Sequence, residues 1–405
     1  MYIRQECLFS FEEILKFQKE NKLQLILSQL DFSNLINKLT KPKHKRGPKG
    51  YNPVSLINAL IAMQVEKINN FKRLKQRLDS DLCFKFNCGF DILKPSPSTS
   101  TFSRFLSKIS SMPEVEEEFK SLVLKAKNLG IIDDTNVAID ATKLDSFEKA
   151  KPKSKIKNDG ISPNWGKKKD TDGNDIKWFG WKAHIIVDCK SELPLYVDIT
   201  PASFNDGKYA IPLLEKFKQF WGSILNPKYY IMDSSYDIEG NYDYIINNTN
   251  GQAIIAYNKR GSYAPPEGFN DNLWPICSMG YPLSFWGIDG NYIKLRCPHA
   301  TGKVDCPYGL SWCSSSNYGY CLKVNYKKNH RLFSYPLRGS EKWIKLYNLR
   351  TSVERCNSRL KEYLNLDNMR SAGIAKAKTW ALLNCIALVA GTIAVNKLNT
   401  LSTSA

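Results

Sequence analysis

Two short apolar runs, each ending in an aspartate, constrain the fold of this 405-residue chain more than any other feature. They extend from Asn136 to Asp140 and from Lys228 to Asp233. Continuous apolar, β-prone residues are typical of strands that are buried on both faces of a sheet. A carboxylate that follows such a strand requires a partner, because an unpaired buried charge is unfavourable. The pattern predicts central strands of an α/β domain, with Asp140 and Asp233 at their ends.

The segments around these runs predict a mixed sheet. Further strand patterns occur at Lys182–Asp188, Leu193–Ile199 and Gln252–Tyr257, and a helical pattern occurs at Tyr209–Trp221. The order is three strands, a helix, a strand, helical residues and a last strand, which indicates a mixed α/β sheet. The lysine-rich segment 149–175 has almost no apolar residues, and we expect it to be a mobile loop.

Changes in composition divide the chain into four regions. Residues 1–128 show helical patterns, and residues 129–258 contain the strands of the α/β core. Residues 259–340 are rich in Gly, Pro, Ser, Tyr and Trp, so we expect an inserted β-rich subdomain that contains cysteines. Residues 341–405 return to helical patterns and complete the core.

The N-terminal region contains recognisable helix starts. Asn52 and Pro53 suit the N-cap and first turn of a helix that extends to Val65. A turn and a Ser/Thr-capped short helix with Arg104 and Lys108 follow a basic segment. Short helices of this kind are required by a helix-turn-helix DNA reader, but they are equally typical of a small helical bundle.

The formal net charge of +19 indicates a polyanionic partner. Lys and Arg that neutralise phosphates gain free energy because counterions are released. The positive charge is clustered at Lys41–Lys49 and Lys149–Lys169, although a solvated basic surface is the alternative.

The chain has no pattern for export or for a membrane span. Acidic residues lie where a secretory signal would be apolar. The most apolar stretch, Trp380–Val395, is shorter than a span and contains Asn384 and Thr392, so we expect a buried helix. The expected location is the cytoplasm, where the eleven cysteines would be reduced.

One predicted helix near the C-terminus carries Tyr347, Arg350, Glu354 and Lys361. With about 100° per residue, these four side chains would lie within about 60° of arc, beside an apolar stripe. The helix could then bury one edge and present a carboxylate, a guanidinium, an ammonium and a phenol together. Such a set can bind a metal ion and phosphates, and it suggests phosphodiester chemistry.

Metal-assisted phosphodiester transfer needs two or three carboxylates that converge on a pair of divalent ions about 4 Å apart. Asp140, Asp233 and Glu354 meet this requirement if the two strands are neighbours and the helix packs across their ends. Magnesium suits such a site, because it uses few protein carboxylates and keeps water and phosphate ligands. Four more aspartates near strand ends compete for the same roles: Asp145, Asp188, Asp198 and Asp237.

The three motifs resemble those of a known family. The sequences VAIDATKLDS around Asp140, YYIMDSSYD around Asp233 and YNLRTSVERCNSRLK around Glu354 resemble the catalytic motifs of DDE transposases from bacterial insertion sequences. They are similar to the subset with a Tyr-Arg-Glu-Lys signature, over about Asn136 to Ala390. The resemblance implies a ribonuclease-H-like catalytic core that a β-rich insertion interrupts between the second aspartate and the glutamate.

The resemblance also implies a reaction. Asp140, Asp233 and Glu354 would bind two Mg²⁺ or Mn²⁺ ions. A water molecule activated by these ions would cut DNA at the end of the insertion sequence, which is the mobile DNA element. The freed 3′-hydroxyl would then attack a second phosphodiester. The implied partners are double-stranded DNA of the terminal inverted repeats and of the target, with a homodimer on the DNA, in the bacterial cytoplasm and associated with the nucleoid.

In the same resemblance, Arg350 and Lys361 would grip phosphates of the terminal DNA, and Tyr347 would contact a nearby phosphate. Two alternatives remain open at this point. The chain could be a ribonuclease-H-like nuclease that cuts without joining, or a DNA-binding protein that retains the fold without catalysis.

The inserted region suggests a structural zinc ion, because its cysteines are clustered in a reducing compartment. The candidate ligands are Cys297, Cys306, Cys313 and Cys321. Their spacing lacks a C-x-x-C knuckle, and small buried cysteines in a compact subdomain are the favoured alternative.

Overall fold

A computed structural model describes residues 10, 11, 13, 21–40, 50–155, 157, 159–169, 172–258 and 265–403 of the chain. The basic cluster at 41–49 lies outside the described residues. Within them the chain begins with the helices α1 (Lys22–Leu27), α2 (Ser33–Leu39), α3 (Pro53–Val65), α4 (Phe71–Ser80), α5 (Leu82–Asn87), α6 (Thr99–Ile109) and α7 (Glu114–Asn128).

The predicted helix starts are confirmed by their caps. The Asn52 side chain accepts a hydrogen bond from the Val54 amide at 3.0 Å, and Pro53 begins α3. At the start of α6, the Ser98 hydroxyl oxygen accepts from the Thr101 amide at 3.3 Å. In both helices a polar side chain satisfies an amide that has no partner within the helix.

The core is a mixed sheet with strands β1 (Asn136–Asp145), β2 (Asn164–Lys169), β3 (Asp175–Asp188), β4 (Pro194–Pro201), β5 (Tyr229–Met232) and β6 (Gln252–Ile255). The order is β2-β3-β1-β5-β6, and β4 also pairs with β3. Strand β3 is antiparallel to β1, β2 and β4, whereas β5 is parallel to β1 and β6. The predicted mixed sheet is confirmed, and its strands β1 and β3 are longer than the sequence patterns suggested.

The mobile loop predicted for residues 149–175 is wrong for its second half, which forms a β-hairpin. Strand β2 pairs with the first part of β3, from Asn164 opposite Gly180 to Lys169 opposite Asp175. An aromatic contact supports the hairpin, since the rings of Trp165 and Phe179 lie 5.6 Å apart. Strand β2 thus forms with few apolar residues of its own, because its backbone pairs with the long strand β3.

Helices cover the sheet and close the fold. They are α8 (Asp206–Trp221), α9 (Glu239–Asn248), α10 (Glu341–Asn348), α11 (Thr351–Ser358) and α12 (Ile374–Thr403). One hydrophobic core joins the N-terminal helices, the sheet and the C-terminal helices. In the described chain, α12 alone is long and apolar enough to cross a membrane, on length and composition only. Its residues Trp380, Leu383 and Ile386 are buried in that core, which confirms the prediction of a buried helix.

The insertion contains a second, antiparallel sheet. Its strands are β7 (Ser284–Asp289), β8 (Tyr292–Arg296) and β9 (Cys321–Asn325), in that order across the sheet. A small hydrophobic core of its own includes Ile293, Leu295 and Phe333. The region thus contains three short strands, and its bounds at residues 259–340 stay a prediction.

Candidate active site

Two aspartates from neighbouring parallel strands lie at one edge of the main sheet. Ile139 of β1 is in register with Met232 of β5, so Asp140 and Asp233 follow paired residues. Strand β5 ends there, whereas β1 continues along β3 to Asp145. Neighbouring strands are about 4.8 Å apart, so this register brings the two carboxylates together.

Backbone and hydroxyl groups fix both aspartates. The Ala141 amide donates to Asp140 Oδ1 at 2.8 Å. Asp233 caps the turn that follows it, because its Oδ1 accepts from the Ser235 amide at 2.8 Å and from the Ser235 hydroxyl at 2.5 Å. The two side chains are thus oriented by amide and hydroxyl groups next to them in the chain, within β1 for Asp140 and after the end of β5 for Asp233.

Asp140 keeps partial access to solvent, but the surrounding protein still makes its negative charge unfavourable. Burial and the charges of Asp233 and Asp206 together raise the pKa of the Asp140 carboxyl to about 7, although the Ala141 amide and Arg350 oppose the rise. An elevated carboxyl pKa beside a second carboxylate marks a position where a cation would be strongly stabilising.

A third aspartate, Asp206, lies near Asp140 and Asp233 and interacts with their charges. The sequence patterns did not predict it. It is the first residue of α8 and forms an ion pair with Lys182, with 2.7 Å between Nζ and Oδ1. Burial raises the pKa of Asp206, Lys182 opposes this, and Asp233 adds to it. In the sequence, an acidic residue after Asn205 reads as an ordinary first turn of a helix, because anions there favour the helix dipole.

Glu354 lies on α11, which packs across β1 and β3. Its half-exposed carboxylate pairs with Arg350, with 2.8 Å between Nη2 and Oε1. Among the residues that the structure describes, no three or more His, Cys, Asp or Glu side chains are grouped so that they could hold a metal ion. The structure therefore brings Asp140 and Asp233 together but leaves Glu354 with its arginine, so the three-carboxylate site stays a prediction.

Tyr347 and Arg350 lie close enough to the aspartates for their charges to interact. The Tyr347 ring stacks on Trp343 with 4.8 Å between ring centroids and a 9° angle between planes. The Arg350 guanidinium lies 6.0 Å from the Tyr347 centroid. Burial raises the pKa of Tyr347, Arg350 opposes the rise and Asp233 adds to it.

The prediction that Tyr347, Arg350, Glu354 and Lys361 share one face of one helix is wrong for Lys361. Arg350 pairs with Glu354 and lies beside the Tyr347 ring, so these three side chains lie together, although a break separates α10 from α11. Backbone bonds over three residues, such as Arg350 N to Tyr347 O at 2.9 Å, tighten the chain between α10 and α11. After α11 the chain widens into a π-helical turn at Arg359–Tyr363. These changes in helical pitch alter the rotation per residue, so the spacing in the sequence no longer predicts the direction in which a side chain points.

Lys361 therefore lies apart from the Arg350–Glu354 pair. It forms an ion pair with Asp367 at 3.0 Å and donates to the Lys143 carbonyl oxygen at 3.0 Å. Burial lowers the pKa of Lys361, Asp367 opposes this, and Lys143 and Lys168 lower it further. Lys361 thus belongs to a basic edge formed with β1 and the β2–β3 hairpin.

The four competing aspartates all have structural partners. Each carboxylate is bound within its own turn or ion pair. None of the four lies beside both Asp140 and Asp233, as Asp206 does. Their partners are Lys143 for Asp145, Ser191 for Asp188, Lys216 for Asp198 and Arg331 for Asp237.

The candidate DNA-contacting residues of the helical region lie on an outer surface. Arg104 and Lys108 are exposed and one helical turn apart on α6. The opposite face of α6 is buried through residues such as Phe102 and Leu106. The arrangement leaves both cations available to a partner, but it does not distinguish a helix-turn-helix reader from a bundle surface.

The four candidate zinc ligands are not gathered at one point. Cys321 is exposed on β9 opposite Arg296, whereas Cys297 is buried directly after Arg296. Successive side chains alternate between the faces of a strand, so these two thiols point to opposite faces. Burial raises the pKa of the Cys313 thiol, and the nearby thiols of Cys297, Cys306 and Cys277 raise it further. The fourth cysteine of this group is therefore Cys277 and not the predicted Cys321.

Two family models and a solved structure are similar to this chain. Residues 125–390 match a family model described as a transposase DDE domain, and residues 11–108 match one described as a transposase domain (DUF772). No curated protein matches the chain. A cryo-EM structure of the piggyBac transposase synaptic complex with hairpin DNA is similar with a TM-score of 0.39 and 11% identity, over 93% of this chain and 75% of that chain.

The DDE-domain match covers more than half of the chain, including Asp140, Asp233 and Glu354. A DDE domain has a ribonuclease-H-like fold, in agreement with the mixed sheet and its flanking helices. Enzymes with this domain cut DNA and transfer the cut strand. The chain therefore belongs to the family of transposases that carry a DDE domain.

Proposed function

We propose that this enzyme cuts DNA at the ends of an insertion sequence and joins the freed 3′ ends to target DNA in a reaction that requires Mg²⁺ or Mn²⁺. The observation that carries the proposal is the position of Asp140 and Asp233 on adjacent parallel strands, with Arg350 and Tyr347 beside them. Two carboxylates and a phosphate-binding arginine are the groups that such chemistry needs.

The residues present fit a divalent metal ion. Carboxylate oxygens are the ligands that Mg²⁺ and Mn²⁺ prefer. The raised pKa of Asp140, which burial and Asp233 cause, is the response expected of a carboxyl placed where a cation belongs. When bound as a pair, such ions would activate the attacking water and stabilise the leaving oxygen.

Glu354 would complete the ligand set by leaving Arg350. Its side chain is half exposed, so a rotation requires no repacking of the core. The released Arg350 guanidinium would then be free to form forked bonds to a DNA phosphate. In this proposal one rotation exchanges an internal ion pair for a metal ligand and a phosphate contact.

Other cations would hold the DNA. Lys361 lies on a basic edge with Lys143 and Lys168, where a phosphate would relieve the mutual repulsion. Arg104 and Lys108 on α6 would contact a more distant part of the terminal repeat. The Tyr-Arg-Glu-Lys signature would thus act through residues that approach the DNA from three separate elements.

Joining two element ends requires two active sites, so we expect a homodimer on the DNA. The substrates would be double-stranded terminal inverted repeats and target DNA in the bacterial cytoplasm, in association with the nucleoid. These conclusions depend on the proposed reaction.

The test is cleavage and joining of DNA that carries the ends of the insertion sequence. With Mg²⁺, the wild-type protein should nick the ends and form strand-transfer products, and Glu354→Gln should do neither. Glu341→Gln, an exposed position on α10, is the matched control and should retain activity. Cleavage by Glu354→Gln at the wild-type rate would refute the proposed site. Cleavage without joined products would instead indicate the nuclease alternative.

A further inference from the structure

A buried tyrosine beside the aspartates lacks a hydrogen-bond partner. Tyr236 is fully buried, and its hydroxyl is bonded to no atom in the described part of the chain. Burial raises the pKa of Tyr236 well above its usual value, and the charges of Asp140, Asp206 and Asp233 raise it further, so the hydroxyl lies near all three carboxylates. A buried polar atom without a partner requires an explanation such as an ordered water molecule or an ion.

The backbone positions Asp206 within the same group. A Cβ atom added at Gly207 would lie 2.3 Å from the Ser235 carbonyl oxygen, so the start of α8 is in close contact with the turn after Asp233. The Asn241 side chain donates to the carbonyl oxygens of Gly207 and Tyr236, at 2.9 Å each. The first turn of α8 and the turn after β5 are therefore one rigid unit.

Lys182 fixes the orientation of Asp206 without using the whole carboxylate. Its Nζ lies 2.7 Å from Asp206 Oδ1 and 2.9 Å from the Phe204 carbonyl oxygen. No described residue donates a hydrogen bond to Oδ2 of Asp206. The carboxylate thus keeps one acceptor oxygen, in a region where the Tyr236 hydroxyl is also without a partner.

We infer that Asp206 and Tyr236 bind water ligands of the divalent cation at Asp140 and Asp233, and so act as positioning residues for it. The inference rests on the proposed function. Mg²⁺ loses its water ligands reluctantly, and each of these waters needs a hydrogen-bond acceptor. Asp206 Oδ2 and the Tyr236 oxygen are two such acceptors, on a rigid unit that includes the turn of Asp233.

The experiment is a titration of the full-length protein with Mn²⁺ alone, followed by electron paramagnetic resonance. Groups that bind the water ligands of a metal typically contribute about 10- to 100-fold to its affinity. Asp206→Asn should therefore weaken Mn²⁺ binding by at least about tenfold, and Tyr236→Phe should also weaken it. Glu215→Gln removes a charge from the exposed face of the same helix and should bind as wild type does.

A Lys182→Met variant separates this role from a merely structural one. If Asp206 served only the ion pair, Lys182→Met and Asp206→Asn would break the same contact and weaken Mn²⁺ binding equally. Under our inference, Lys182→Met removes a positive charge from beside the cation and leaves the Asp206 carboxylate in place, so Mn²⁺ binding at pH 8 is unchanged or tighter. Equal weakening by both variants would overturn the inference.

The failure of this inference can be told apart from that of the proposed function. Asp140→Asn should abolish the Mn²⁺ site. If the wild type binds no Mn²⁺, or Asp140→Asn binds it as tightly, the proposed metal site fails and the inference fails with it. If Asp140→Asn behaves as expected and Asp206→Asn keeps wild-type affinity, the inference alone is refuted.

Discussion

The substitution Asp140→Asn should stabilise the folded protein, because the site holds a charge that folding makes unfavourable. Burial and the neighbouring carboxylates raise the pKa of Asp140 from 3.8 to about 7. Asparagine keeps the oxygen that accepts the Ala141 amide at 2.8 Å, but it carries no charge. The substitution therefore removes the unfavourable charge and retains the local geometry.

The sign and size of the effect follow from proton linkage. Between pH 4 and 7 the folded protein binds a proton at Asp140 that the unfolded chain has released, so the stability of the wild type falls as pH rises. Each pKa unit corresponds to about 1.4 kcal/mol, which gives a deficit of about 1.5 kcal/mol at pH 5 and about 4 kcal/mol above pH 7. Asp140→Asn lacks this deficit at every pH.

The assay is urea unfolding in EDTA at pH 5 and pH 8. The variant should be more stable than the wild type at both values, and the difference should increase by about 2 to 3 kcal/mol toward pH 8. Asp145→Asn, on the same strand but exposed, is the control and should change stability by less than about 0.5 kcal/mol. Equal stabilities of Asp140→Asn and wild type at pH 8 would refute the reasoning.

Three further predictions concern ligands. Mn²⁺ affinity should fall about tenfold per pH unit below pH 7, because Asp140 must lose a proton to bind metal, and a titration with equal affinity at pH 6 and pH 8 would contradict this. Arg350→Ala and Lys361→Ala should each reduce the salt dependence of terminal DNA binding by about one phosphate contact, measured by fluorescence anisotropy against Lys345→Ala; unchanged slopes would exclude phosphate roles. Metal analysis of the purified protein tests the zinc prediction, which requires about one equivalent of zinc per chain. Cys321→Ser should leave the zinc content unchanged, since Cys321 points away from Cys297.

The sequence was sufficient where one local pattern determines the structure. The apolar runs before Asp140 and Asp233 predicted two central strands, because continuous apolar runs are typical of strands that are buried on both faces of a sheet. That these strands are neighbours was a condition of the predicted site, and the pairing of β1 with β5 meets it. Asn52 and Pro53 predicted the start of α3 for a similarly local reason. Each of these features depends on a few consecutive residues and on general rules of strand burial and helix capping.

The sequence was insufficient where contacts between distant residues determine the structure. Strand β2 forms because β3 extends beyond the sheet and pairs with it, which its lysine-rich composition does not reveal. The break between α10 and α11 contains no Gly or Pro that would signal it. Asp206 resembles an ordinary helix start, and only the contact between Gly207 and Ser235 places it beside Asp140 and Asp233.

The β-rich insertion is bonded to the same turn that carries Asp233. Asp237, four residues further on, has a fully buried carboxylate that accepts from Arg331 at 3.0 and 2.8 Å. Arg338, also at the end of the insertion, donates to the Tyr242 hydroxyl at 2.7 Å, and that hydroxyl donates to Asp237. Displacing the insertion would leave a buried carboxylate unpaired, which costs about 3 to 5 kcal/mol. Because Asp237 lies four residues after Asp233, these bonds connect the insertion to the segment that carries Asp233.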